Sequence, residues 1–362
     1  MSDSNHGSFP ARYWEKLPDG RARCKVCPHH CVLKDGQRGL CFVRACENGQ
    51  MVLTTYGRSS GFCMDPVEKK PLNHFLPGSA ILSFGTAGCN LNCKFCQNWN
   101  ISRSRQVETI SEEASPEAIA RAAVKAQCRS VAFTYNDPVV FMEYAVDTAK
   151  ACHALGIKTV AVTAGFMCEE SRAEFYRHMD AANVDLKAFT ERFYRELCGA
   201  RLQPVLDTLA HIRKNTSTWL EITTLLIPGE NDSDSELKDL TRWIMENLGA
   251  DTPLHFTAFH PDWKLTDHPS TPLATLIKAR RIAMGQGLHF VYIGNVRDEE
   301  GAATCCPSCK RVVIGRDGYD ITRWNLKAGG ACVFCGSICA GVFEDQPGSW
   351  GGCRRPVNME GT

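Results

Sequence analysis

No stretch of this chain approaches the roughly 18 consecutive apolar residues that a membrane-spanning helix requires. Neither sign of charge dominates: 41 Lys and Arg stand against 40 Asp and Glu, a formal net charge of +1. No Lys/Arg block is present either, so neither nucleic acid nor an anionic membrane is an expected partner. The leading residues Met1-Ser2-Asp3-Ser4-Asn5-His6 are polar and lack an apolar signal core, which reads as cytoplasmic. Hydrophobic residues at 44% and charged residues at 22% are ordinary for a soluble globular protein. A length of 362 residues fits one large barrel-sized domain with appendages. Cysteine is what the chain has in excess, at 20 residues. In a small secreted protein that count would suggest disulfides; here the thiols are expected in a reducing compartment, as ligands or core residues.

The central stretch is Gly88-Cys89-Asn90-Leu91-Asn92-Cys93-Lys94-Phe95-Cys96-Gln97-Asn98, directly after the apolar run Ala80-Ile81-Leu82-Ser83-Phe84. Cys89, Cys93 and Cys96 follow a C-x3-C-x2-C spacing on one loop, so three thiolates can wrap one metal centre. A tetrahedral zinc would need a fourth ligand, whereas a [4Fe–4S] cube held by three thiolates leaves one iron open to a small chelating molecule. The plain alternative is a zinc loop or three unrelated buried cysteines.

From Ala80 to about Ile293, apolar β-rich runs alternate with helical patterns. Ser115-Pro116-Glu117 starts a helix, and Ser233-Asp234-Ser235-Glu236 forms a capping box before another. Repeated βα units imply a parallel sheet with helices outside, an α/β architecture whose ligands sit at the C-terminal ends of the strands. The expected division is an N-terminal Cys-rich metal-binding segment (1–75), a barrel (76–300) and a C-terminal Cys-rich domain (301–362). The first ten residues and the tail from Gln346 read as disordered or mobile; the Gly/Pro-rich connector from Tyr56 to Gly78 reads as a solvated linker, the alternative being that its charges face the active site.

Two outer cysteine sets flank the barrel. Cys24, Cys27, Cys31 and Cys41, with Gly36 and Gly39 at the turns, can close around one metal site, and four thiolates suit zinc and a second [4Fe–4S] cluster equally. Cys306-x2-Cys309 and Cys332-x2-Cys335 read as a zinc-ribbon-like or rubredoxin-like structural site, since four thiolates leave no open position. Cys305 and Cys339 stand beside these knuckles as substitute ligands.

The ends of the strand runs supply the polar groups. Asn136 and Asp137 follow Thr134-Tyr135, where an amide and a carboxylate can accept from an ammonium group, or form an Asx turn before Pro138. Asp185 and Lys187 alternate onto one face, as an ion pair or as the holders of a charged ligand. Phe259-His260-Pro261 ends a later run.

The cysteine spacing, with an aromatic just before its third member, resembles the radical S-adenosylmethionine (radical SAM) superfamily. The order of motifs is similar to its pyruvate formate-lyase-activating-enzyme-like branch. Cys27-Pro28-His29-x-Cys31, Asp65-Pro66-Val67-Glu68-Lys69-Lys70-Pro71-Leu72 and the final knuckles resemble more closely the AmmeMemoRadiSam system radical SAM enzymes. The resemblance implies a partial TIM-like (β/α)6 barrel and a [4Fe–4S] cluster on Cys89, Cys93 and Cys96. It also implies reductive cleavage of S-adenosylmethionine to a 5′-deoxyadenosyl radical that abstracts hydrogen from a substrate. Phe95 would then lie against adenine, Asn136 and Asp137 near the methionine amino group, and Lys187 with Asp185 near the carboxylate. His260 matches a cofactor-contacting histidine of the activase branch. Ala164 stands where a Thr-Asn-Gly motif has Asn. The implied partners are a low-potential donor (flavodoxin or ferredoxin), Memo-like and Ammecr1-like proteins, and a protein or peptide target. The competing classes are a cysteine-knuckle interaction module and an iron–sulfur electron carrier. The balanced charge counts against the first; about two hundred residues of barrel count against the second.

Overall fold

The computed structural model describes residues 8–103 and 112–359. At its centre are seven parallel strands, each the neighbour of the next in the chain: β1 (Ala80–Gly85), β2 (Ser130–Phe133), β3 (Lys158–Thr163), β4 (Ala181–Asp185), β5 (Trp219–Leu226), β6 (Leu254–Ala258) and β7 (Val291–Gly294). Every residue of β1 and β2 is buried, as expected of strands covered on both faces. Helices α1 (Pro116–Lys125), α2 (Met142–Ala154), α3 (Glu169–Arg177), α4 (Leu202–Asn215), α5 (Asp234–Asn247) and α6 (Leu273–Gly285) fill the crossovers. Ser115 caps α1 by accepting from Ala118 N, and Ser233 caps α5 by accepting from Glu236 N, as the sequence predicts. Six helices follow six of the strands, and the apolar run ending at Ile293 supplies the seventh parallel strand, paired with β6. The fourth strand also stops at Asp185, so Lys187 lies beyond it.

The sheet reaches outside the barrel segment. The strand Arg58–Pro66 pairs antiparallel with β1, and Arg355–Pro356 pairs antiparallel with that strand in turn. The tail expected to be mobile is thus stitched down: Gly348 N donates to Pro77 O at 2.9 Å, and Trp350 N to Gly78 O at 2.9 Å. Gly78 has φ +75°, and a Cβ on it would come within 2.4 Å of Gly348 O, so no side chain fits. Of the first ten residues, 1–7 lie outside the described residues, whereas Phe9 and Pro10 pair with Leu53 and Val52.

The connector is not a solvated linker. Asp65 is buried between Lys69 Nζ and Lys70 Nζ, each 2.8 Å from a carboxylate oxygen. Further on, Asn73 N and His74 N donate to the buried Glu221 carboxylate at 3.0 and 2.8 Å. Trp219 Nε1 and His255 Nε2 bond the same group at 3.0 and 2.7 Å. Burial alone would raise the Glu221 pKa, but the hydrogen bond and charge of His255 hold it below the ordinary value.

His74 joins this connector to the C-terminal module. Its Nδ1 must donate to Ala340 O (2.6 Å), which leaves Nε2 to accept from Tyr292 OH (2.5 Å). Burial drives its pKa down to about 4 from 6.5. A folded-state pKa below the unfolded one means that the unfolded chain binds the extra proton between about pH 6.5 and 4. Stability is therefore full above pH 6.5 and falls on acidification. Wild type is expected to lose about 2 kcal/mol more unfolding free energy between pH 7 and pH 5 than His74→Gln does, as read by urea denaturation.

A second buried charge pair anchors the N-terminal module. The Arg44 guanidinium meets the Glu143 carboxylate on α2, with 3% and 0% of the two side chains exposed. Arg12 N also donates to Glu143, at 2.7 Å.

Candidate functional site

A cleft of about 420 Å³ opens at the C-terminal ends of the strands and is lined from all of them. The loop after β1 brings Cys89, Cys93, Phe95 and Cys96; the segment after β2 brings Asn136 and Asp137; Thr163 and Ala164 come from β3 and just beyond it, and Asp185 and Lys187 from the end of β4. Thr223, Thr257 and Asn295 complete the wall from β5, β6 and the turn after β7. Of the sequence-predicted cleft residues, His260 alone is not brought in. Phe259 N donates to Thr271 Oγ1 at 2.9 Å, and the next residue turns out to solvent, with its Nδ1 3.3 Å from Pro261 O.

The cysteine loop is built for close approach. Gly88 has φ +84°, and a Cβ there would come within 2.2 Å of Cys41 O. Asn136 spends both amide hydrogens on this loop, with one oxygen lone pair left over: Oδ1 accepts from Thr86 N at 3.1 Å, and Nδ2 donates to Gly88 O at 2.7 Å and Thr86 Oγ1 at 3.1 Å. It positions the thiols and has no donor left for a ligand. On the far side, Asn92 N and Lys94 N donate to Cys198 O and Leu197 O at 2.7 and 2.8 Å. Those acceptors lie in a single π-helical turn, Tyr194–Cys198, a feature that recurs at functional sites.

The charges around the thiols are unequal. Burial pushes the Cys89 and Cys96 thiols up. Cys93 is held below its ordinary value, first by the hydrogen bond from the Cys198 thiol and then, against its burial, by the Lys187 ammonium. Burial keeps Cys198 itself well above its ordinary value, so it stays a protonated donor; it is absent from the cleft wall. Lys187 Nζ sits 2.7 Å from Asp185 Oδ2. Burial opposes its charge, but Asp185 and the two thiols hold it well above the ordinary value, so it is an ammonium throughout the working pH range.

Asp137 takes the turn-forming role weighed for it. Oδ1 accepts from Val139 N (3.1 Å) and Thr163 Oγ1 (2.8 Å), and Oδ2 accepts from Ala164 N (2.9 Å). It therefore caps the turn at Pro138 while keeping free acceptor capacity at the cleft. Burial raises its carboxyl even so. Phe95 is buried in the wall, its ring centroid 5.6 Å from that of Phe193.

Further residues join the wall, among them the connector charges weighed as facing the site. Lys69, Lys70 and Pro71 of the connector face the cleft, as does Tyr319 from the C-terminal module. An acid followed by two lysines between prolines was a usable signal for the first group; nothing local marks Tyr319. Thr223 Oγ1 is buried without a hydrogen-bond partner among the described residues. A second cavity of about 560 Å³ adjoins, sharing Lys69, Pro71, Thr257, Asn295 and Tyr319 with the cleft.

The outer cysteines also gather. Cys24, Cys27, Cys31 and Cys41 all line one small cavity. Cys306, Cys309, Cys332 and Cys335 have sulfurs within 4.8 Å of one another, with pairs at 3.5 and 3.8 Å, and could hold a metal ion. Hydrogen bonds from Ser337 bring Cys335 down to about 6, which favours the thiolate a metal needs. Cys306→Ser is expected to lower Tm by several degrees and to remove bound metal from this module, with the iron of the central loop unchanged; scanning calorimetry and metal analysis check both.

Residues 84–241 match the radical SAM superfamily. The chain is a radical SAM enzyme. A relative in Methanocaldococcus jannaschii, an uncharacterized protein, is 39% identical over 327 residues, covering 90% of this chain and 97% of its own. The 4-hydroxyphenylacetate decarboxylase activating enzyme of Clostridium scatologenes is 27% identical over 120 residues, 32% of this chain and 38% of that enzyme. Among solved structures, a radical SAM methyltransferase from Sphaerobacter thermophilus superposes with a TM-score of 0.49 at 15% identity, over 66% of this chain and 71% of that one.

The three thiols of this radical SAM enzyme fit a cluster better than a single ion. Zn–S bonds of about 2.3 Å place the sulfurs of one tetrahedral site about 3.8 Å apart. The C-terminal set has that spacing; no three groups that include Cys89, Cys93 or Cys96 come within 4.8 Å of one another among the described residues. A cube spreads its thiolates more widely, because each binds a different iron.

Proposed function

We propose that Cys89, Cys93 and Cys96 hold a [4Fe–4S] cluster with one iron left for the amino and carboxylate groups of S-adenosylmethionine. When bound, the cluster supplies one electron to the sulfonium and thereby the 5′-deoxyadenosyl radical that takes a hydrogen atom from substrate. The chain's own residues bind and orient. Lys187, held by Asp185, faces the cofactor carboxylate; Asp137 offers its remaining lone pairs to the amino group; Phe95 walls the adenine side. Asn136 and the 194–198 turn fix the loop so that the thiols converge. The observation that carries this reading is the convergence of three thiols, an ammonium and a buried carboxylate on one cleft fed by every parallel strand.

The wider reading follows the resemblance to the AmmeMemoRadiSam enzymes. It comprises a cytoplasmic enzyme reduced by flavodoxin or ferredoxin, working beside Memo-like and Ammecr1-like proteins on a substrate drawn from proteins or peptides. The match to activating enzymes supports this target class, although this chain spans about 38% of the length of the one compared. The C-terminal cysteines hold a structural zinc, and the N-terminal set holds zinc or a second cluster.

Lys187→Met tests the site. Loss of a charge-assisted hydrogen bond costs about 1.5–3 kcal/mol, so S-adenosylmethionine should bind about 10–150-fold more weakly to iron-loaded protein. Anaerobic equilibrium dialysis measures this. An unchanged Kd with unchanged iron content would remove Lys187 from the cofactor site.

A further inference from the structure

We propose that Cys24, Cys27, Cys31 and Cys41 hold a second, coordinatively closed [4Fe–4S] cluster that passes electrons to the catalytic loop. Spacing on the chain left zinc and a cluster equal; the folded geometry separates them. All four thiols line one cavity, yet no three of them have sulfurs within 4.8 Å of one another, among the described residues. One tetrahedral zinc needs its ligand sulfurs about 3.8 Å apart, the spacing seen at the C-terminal knuckles. Four thiols around a shared space, spread too wide for a single ion, match the corners of a cube.

The charge around the cavity agrees. Arg44 lines it, 2% exposed, and its guanidinium acts on both Cys24 and Cys41. Four thiolates on one cluster leave a net negative centre, and a buried cation beside it offsets that charge. Glu143 already takes one side of the guanidinium, so Arg44 can serve both.

The cavity touches the catalytic loop directly. Asn90, the residue after Cys89, forms part of its wall. His29 Nε2 donates to Asn90 O at 2.7 Å, and Cys41 O packs against Gly88 so tightly that no Cβ fits between them. The two ligand loops are thus in van der Waals contact. On the outer side, Leu40 beside Cys41 is 69% exposed, so the site lies close to the surface where a redox protein can dock. One electron from a low-potential one-electron donor reduces the N-terminal cluster. Passing it on reoxidises that cluster and reduces the catalytic one by a single unit, with no atom transferred. This delivery role rests on the function proposed above; the identity of the metal does not.

Two variants separate these claims. Purified anaerobically, wild type should carry about eight irons and eight sulfides, with about one zinc in the C-terminal module. Cys89→Ala/Cys93→Ala/Cys96→Ala should keep about four irons and, once reduced, a cluster EPR signal that S-adenosylmethionine does not shift. Cys24→Ala/Cys31→Ala should also keep about four irons, with a signal that S-adenosylmethionine does shift. Its reduction by ferredoxin should slow severalfold, while dithionite still reduces it fully. A triple variant holding a second zinc and no iron overturns the cluster assignment. Ferredoxin reduction at the wild-type rate in the double variant overturns the delivery role. If wild type fails to cleave S-adenosylmethionine while the triple variant keeps its iron, the catalytic reading fails and this one stands.

Discussion

Cys93→Ala is expected to reduce 5′-deoxyadenosine formation to the level of a protein-free control, with loss of about four irons per chain. The argument is one of coordination. Cys93 is the middle thiol of the loop, the one whose pKa is held down by the Cys198 hydrogen bond and the Lys187 ammonium, and so the one most ready to bind as thiolate. Alanine removes the ligand without disturbing the backbone bonds from Asn92 N and Lys94 N that latch the loop to the 194–198 turn. The remaining pair, Cys89 and Cys96, cannot secure a cube between them. Anaerobic incubation with S-adenosylmethionine and dithionite, followed by chromatography, reads the product; iron analysis reads the cluster. Wild-type levels of 5′-deoxyadenosine from this variant would show that the central loop is not the reaction centre.

Glu143→Gln should destabilise the fold by about 3–5 kcal/mol, the range for stranding one member of a buried ion pair. Glu143 has no exposed side-chain surface; it takes the Arg44 guanidinium on one oxygen and Arg12 N on the other. Glutamine keeps the shape but leaves the guanidinium unpaired in the interior. The double variant Arg44→Met/Glu143→Leu removes both charges and should recover most of the loss, since a well-packed apolar pair often replaces a buried ion pair at little cost. Chemical denaturation of wild type, single and double variants measures the cycle. A loss below about 1 kcal/mol for the single variant would mean that the charge is paid for elsewhere, by the thiols Arg44 faces.

The sequence made the catalytic half of this molecule readable because its signals are local. A C-x3-C-x2-C loop after an apolar run, capping serines at 115 and 233, and alternating βα periodicity each depend on neighbours a few residues away. The placements of Asn136, Asp137, Asp185 and Lys187 followed from the rule that parallel strands point their C-terminal ends at the ligand. What escaped is non-local. The connector carries Asp65, Glu68, Lys69 and Lys70 between prolines, a composition that reads as solvated. It is buried because Asp65 takes both lysines and Glu68 accepts from Gly78 N at 2.8 Å. Cys198 lies about a hundred residues from Cys93 and has no partner spacing. His260 is the converse case: it follows a strand, yet beside the bond from Phe259 N to Thr271 Oγ1 its imidazole is exposed and does not line the cleft.

The pairing of Arg355–Pro356 with the strand beside β1 has a consequence for biosynthesis. A ribosome completes Arg58–Pro66 and the barrel strands long before it releases the residues that cover the outer edge of Arg58–Pro66, and Pro77 and Gly78 wait for Gly348 and Trp350 to arrive. During that interval the cysteine loop is already made while the flank of the sheet stays open. A stop codon shortly after residue 345 would leave that edge bare in the finished chain.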